Sequence, residues 1–161
     1  MARTSEYAEE QVRDLSCDVL LVTATEVEAR AVLNTFPRQD SISGWRYAGN
    51  NTYFDLGVIG GARTFLVQSE MGAGGPAGAT LVVYEGIKAL SPSAVIMVGI
   101  AFGLIPKEQR PGDILVSRQL VGYELQKIEE GPGGVEIIRP RGDRAQASPR
   151  LLSCLRASVF D

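Results

Sequence analysis

Apolar bursts separated by glycine- or carboxylate-bearing turns divide this chain into strand-like and helix-like stretches. The first burst, Val19-Leu20-Leu21-Val22, gives way at Thr23-Ala24-Thr25 to residues with helical spacing. A strand over Asp18 to Ala24 and a helix from about Glu26 to Asn34, stopped near Pro37, follow from that change of period. Trp45 to Leu56 is strand-forming and broken at Gly49-Asn50-Asn51, a hairpin signal; Gly57 to Gly61 turns the chain again before a strand over Thr64 to Ser69. A helix over about Ala77 to Leu90 follows, with Pro76 suited to its first position. Ala94 to Val98 is a continuous apolar run of the kind buried on both faces of a sheet.

Further on, Gly112 to Ser117 reads as strand, and Val121 to Ile128 extends or pairs with it. Gly131-Pro132-Gly133-Gly134 forms a loop or hairpin tip, with Val135 to Ile138 returning. Leu151, Leu152, Leu155 and Val159 give helical spacing over Ser148 to Phe160, capped at Ser148 or by the loop before it. Residues 1–17 form a frayed or loosely helical tail, and Arg38 to Gly44 a polar loop. Strands alternate with helices, but paired strands interrupt the alternation. The expectation is an α/β fold with a mixed sheet flanked by helices, a tail over 1–17 and one domain over 18–161.

Composition narrows the chemistry more than the fold. The chain has 161 residues, 45% hydrophobic and 22% charged, with a net charge of -3. That charge supplies no attraction to nucleic acid or an anionic membrane, and the longest mainly apolar run, Ala94 to Ile105, is too short to span a bilayer. Cys17 and Cys154 are too far apart to signal a disulfide framework, so a cytoplasmic protein is expected. There is no histidine at all. This excludes Ser-His-Asp and Cys-His nucleophiles and removes the commonest metal ligand, so neither a metal nor a cofactor is expected. Chemistry here falls to carboxylates, hydroxyls, backbone amides and charged nitrogen.

Glu26 and Glu28 stand just past the first strand, where open α/β sheets bind ligands. They are two apart, about 200° around a helix, so only one can face a crevice. Thr25-x-x-Glu28 also fits a capping box, in which Glu28 merely ties off its own helix. The second candidate is Gly72, Gly74, Gly75 and Gly78, between a strand and a helix start, an arrangement that can bring N–H groups against an anion or sugar. It carries no Gly-Lys-Ser/Thr and misses the dinucleotide fingerprint; close helix–sheet packing explains it equally well. Gly99 and Gly103 allow a turn near a ligand, with Ile100 and Phe102 between them. Arg139, Arg141 and Arg144 form a basic cluster on a predicted loop, most simply a solvated surface.

Four stretches, VTATEVEA (22–29), SEMGAGGPAGAT (69–80), AVIMVGIAFGL (94–104) and PGDILVS (111–117), resemble in order and spacing the purine nucleoside phosphorylase and uridine phosphorylase superfamily. The nucleosidases that cleave 5′-methylthioadenosine and S-adenosylhomocysteine are the nearest in pattern. The resemblance implies a phosphorylase/hydrolase-like three-layer sandwich and cleavage of the N-glycosidic bond of a purine nucleoside or nucleotide. It implies Glu28 as the acid–base group, with Ala24, Thr25, Met71, Gly72, Ile100, Ala101 and Phe102 lining the pocket, in a cytoplasmic homo-oligomer. The phosphorylases hold phosphate with an Arg and a Ser where this chain has Met97 and Ile100, so the resemblance favours hydrolysis over phosphorolysis. The family's later ribose-binding glutamate and purine-protonating aspartate have no counterpart before Asp161. The chain therefore reads as a C-terminally truncated or degenerate member that alone would not catalyse efficiently. A non-catalytic nucleoside-binding or regulatory module is the alternative, and a nucleoside phosphorylase a further one.

Overall fold

A computed structural model describes residues 16–36, 44–105, 107–122, 126–142, 144–158 and 160. The expected tail lies outside these residues except at Ser16 and Cys17, as does the polar loop except at Gly44. The chain divides into two compact units, Met1–Ile100 and Ala101–Asp161.

The first unit is built on one mixed sheet of β1 (Val19–Thr23), β2 (Trp45–Ala48), β3 (Asn51–Ile59), β4 (Ala62–Gln68) and β5 (Ala94–Met97), ordered β2-β3-β4-β1-β5. β1 runs parallel to both β4 and β5, and β2-β3-β4 is an antiparallel meander. Alternation along β1 sends Leu20 and Val22 to one face and Leu21 to the other. On the first face they join Tyr53, Phe65, Val67 and Val82, the last from helix α2 (Ala79–Leu90). On the second, Leu21, Leu56 and Leu66 meet Ala29 and Val32 of helix α1 (Glu26–Thr35). A helix on each face of a mixed sheet gives the expected three layers. Gly86 of α2 marks the closest approach, since a Cβ there would fall 2.7 Å from Leu20 Cδ2.

The second unit holds two separate antiparallel pairs. β6 (Gln119–Val121) pairs with β9 (Arg144–Gln146), and β7 (Gln126–Glu130) with β8 (Glu136–Pro140). Helix α3 (Pro149–Ala157) starts at Ser148, whose Oγ accepts from the Leu151 N–H, as expected. The tip at 131–134 is also as expected: the Gly131 N–H donates to the Val135 carbonyl, and Gly133 and Gly134 adopt positive φ.

Several expectations need correction. Gly57 does not turn the chain; it sits at a bulge between Asp55 and Gly57 with φ +78°, and β3 runs on to Ile59, leaving the turn to Gly60-Gly61. Pro76 does not open α2, because Gly78 is the cap and the helix begins at Ala79. β5 is not buried on both faces. It lies at the edge of the five-stranded sheet, with its residues half-buried or, at Met97, exposed. Gly112 to Ser117 is not strand: no neighbouring backbone pairs with it among the described residues, and Ile114 is 91% exposed. Among the described residues no helix is long and apolar enough to cross a membrane.

Candidate functional site

The carboxyl ends of β1, β4 and β5 lie along one edge of the first sheet because the three strands are parallel. β1 ends at Thr23, and Thr25 takes an extended conformation (φ -129°, ψ 155°) that lets its Oγ accept from the Glu28 N–H at 3.3 Å. Glu28 answers with Oε2, which accepts from the N–H groups of Thr25 (2.9 Å) and Ala24 (3.1 Å). The structural half of the sequence reading is therefore met: Glu28 completes a capping box.

The cap accounts for only one carboxylate oxygen. Oε1 accepts from the Ile100 N–H at 2.8 Å, across 72 residues of chain. This bond joins α1 to the segment leaving β5, where the Val98 N–H donates to the Val22 carbonyl. Three backbone donors thus converge on a half-buried carboxylate. The Ile100 amide is the main influence holding the Glu28 carboxyl below its ordinary range. Burial opposes it, and the remaining donors reinforce it. Glu28 is consequently ionised at neutral pH. Glu26 faces elsewhere, its carboxylate exposed and bound by the Arg30 guanidinium at 2.9 Å.

The glycine-rich stretch folds back onto the start of α2. The Glu70 N–H donates to the Ala77 carbonyl, and the Ala79 and Thr80 N–H groups that open α2 donate to the carbonyls of Gly72 and Ala73. The loop thus consumes helix-start donors that an anion would need. Gly78 is required by this closure, since a Cβ there would stand 2.2 Å from the Gly74 carbonyl oxygen.

Among the residues singled out from the sequence, Ala24, Thr25, Glu28 and Ile100 are joined directly by hydrogen bonds. Met71 and Gly72 lie on the loop after β4, at the same sheet edge, with Met71 79% exposed. Ala101 and Phe102 belong to the second unit. There they line an open hollow of about 350 Å³ with Gly103, Gln109, Arg110 and Pro111 among others, and Phe102 is 91% exposed. Only Arg141 of the basic cluster lies outside the strands: Arg139 lies in β8 with its Nε 3.0 Å from Glu129, and Arg144 opens β9. A side-chain reading of Ile100 overlooked its backbone N–H, which is the group that meets Glu28. Gly99 was the available signal, because it removes the side chain that would block that approach.

A family model described as the phosphorylase superfamily matches residues 18–160. The chain belongs to the phosphorylase superfamily. Comparison with curated protein sequences gives no match. Among solved structures, the fold is similar to a mutant of Helicobacter pylori MTAN with 5′-methylthioadenosine in the active site. The TM-score is 0.66 at 20% identity, over 90% of this chain and 59% of that one. The chain therefore spans about three-fifths of the length of its structural neighbour.

Proposed function

We propose that this member of the superfamily cleaves the N-glycosidic bond of a purine nucleoside, by hydrolysis, with Glu28 as the general base. The observation that carries the reading is an ionised carboxylate held at the carboxyl edge of a parallel strand trio in a chain of this family. A carboxylate offers about four acceptor directions. Oε2 has two donors and Oε1 one, which leaves one direction on Oε1 for a water molecule. That water would form the new bond to the anomeric carbon as its proton passes to Glu28. The electron pair of the breaking C–N bond would leave with the purine, which takes up a proton from solvent. The negative charge of Glu28 would also stabilise cationic character on the ribose.

Hydrolysis is favoured because the first two N–H groups of α2, Ala79 and Thr80, already donate to the loop before it, and because Met97 and Ile100 have no side-chain donor for phosphate. Met71 and Gly72, on the loop after β4 at the same sheet edge, would flank the sugar. A nucleotide substrate is less well supported, since Arg139 is engaged by Glu129. The reading carries a cytoplasmic homo-oligomer, whose assembly sedimentation velocity tests. For activity, free adenine is measured from 5′-methylthioadenosine and adenosine with and without inorganic phosphate. Release independent of phosphate is expected; release only with phosphate overturns hydrolysis, and none under either condition overturns cleavage. One observation favours the binding-module alternative: three of the four acceptor directions of Glu28 are occupied by the backbone. Calorimetric binding of adenosine without turnover would select it.

A further inference from the structure

Two of the three donors to Glu28 come from its own helix start: the Thr25 N–H, as in any capping box, and the Ala24 N–H just before it. The third comes from a different part of the chain and needs a particular residue to reach its target. Gly99 precedes Ile100, and a Cβ at Gly99 would lie 2.9 Å from Glu28 Oε1 and 3.4 Å from its carboxyl carbon. Any side chain there would drive the carboxylate off the Ile100 N–H. The displaced group is the free end of a flexible side chain, so the backbone need not move.

We propose that Gly99 and the Ile100 amide are positioning elements for Glu28: the missing Cβ lets Oε1 close on the Ile100 N–H, and that bond aims the last open acceptor direction of the carboxylate. The proposal rests on reading Glu28 as the base and adds what sets its orientation. At position 100 the contact is made by the backbone, and the Ile100 side chain is 76% exposed. The two segments that meet the carboxylate, 22–25 and 97–100, read Val-Thr-Ala-Thr and Met-Val-Gly-Ile and contain no charged side chain. On α1 itself, Glu26 is engaged by Arg30. Backbone donors, the Thr25 hydroxyl and burial therefore govern the proton affinity of Glu28, and the Ile100 donor is the largest influence.

The test is an NMR titration of the full chain carrying carboxyl-labelled glutamate, with the Ile100 amide followed in parallel. In the wild type, the Ile100 amide proton is expected to shift along the same curve as the Glu28 carboxyl, at a pH below the ordinary glutamate range. In Gly99→Ala the Glu28 titration moves upward and the Ile100 amide ceases to follow it. Base release then shows kcat lower by about 10²-fold, the cost of a misplaced catalytic group. KM stays within a few-fold, and the acid limb of the kcat profile moves up. A wild-type Ile100 amide that ignores the Glu28 titration overturns the proposal without any variant. A folded Gly99→Ala chain with an unchanged Glu28 titration also overturns it. Because the titration uses no substrate, a wild-type chain that releases no base overturns the nucleosidase reading while the clamp is judged separately.

Discussion

The two units of this chain use similar apolar residues to different ends. In the first, Leu20, Val22, Tyr53, Phe65 and Leu66 are sealed between a five-stranded sheet and its two helices. In the second, no described residue is buried, and Leu104, Ile114 and Leu120 are exposed to more than half their surface. Hairpin and helix hydrogen bonds form in both, so local structure does not depend on a core. What the first unit adds is apolar area removed from water, worth about 25 cal/mol per Å². The candidate base lies on that better-supported unit, where a fixed sheet edge can hold it.

The sharpest contrast should appear at the two cysteines. Cys17 is buried in the first core, and burial pushes its thiol up to about 11; Cys154 is exposed on α3. With a disulfide reagent at pH 8, Cys154 should react on the order of 10³-fold faster than Cys17, which must await opening of the core. Comparable rates would erase the distinction between the units.

Truncations should separate the units next. Phe65→Ala is expected to cost about 3–5 kcal/mol in urea unfolding, while Leu155→Ala on α3 should cost under about 0.5 kcal/mol. A large penalty at Leu155 would reveal a core in the second unit that the described residues do not form.

A smaller effect sharpens the comparison at the helix starts. Thr25→Ala should cost about 1 kcal/mol, the usual value of a lost cap. Glu28 adds a pH signature: its folded carboxyl titrates below the unfolded value of about 4.3, so its stabilisation is full above that pH and is lost as pH falls through the folded value. The stability difference between wild type and Glu28→Gln should therefore shrink as pH falls below the unfolded value. A difference that stays constant would mean the carboxylate charge contributes nothing to the contact.

The first unit was largely legible in the sequence because its periods are strong and its partners are local. The β1–α1 switch at Thr23-Ala24-Thr25, the 45–59 hairpin and α2 emerge from spacing alone, and Thr25-x-x-Glu28 announced its own cap. Errors arose where backbone geometry outweighed side-chain pattern. The bulge at Gly57 looks like a turn in one dimension, and the apolar run at 94–98 says nothing about being placed at a sheet edge. PGDILVS carries a strand's composition, but a strand exists only where another backbone pairs with it. The Ile100 amide was signalled only indirectly, by Gly99, since every non-proline residue carries an N–H and only the fold chooses which one meets Glu28.

The account turns on which of two neighbouring glutamates works. The deciding measurement is phosphate-independent base release by the wild-type chain, by Glu28→Gln, and by Glu26→Gln as the control on the opposite side of the helix. Glu28→Gln should lower the rate by about 10²–10⁴-fold, the usual cost of losing a general base, while Glu26→Gln leaves it within about twofold. Equal rates for the two variants, or an undiminished rate in Glu28→Gln, would contradict it.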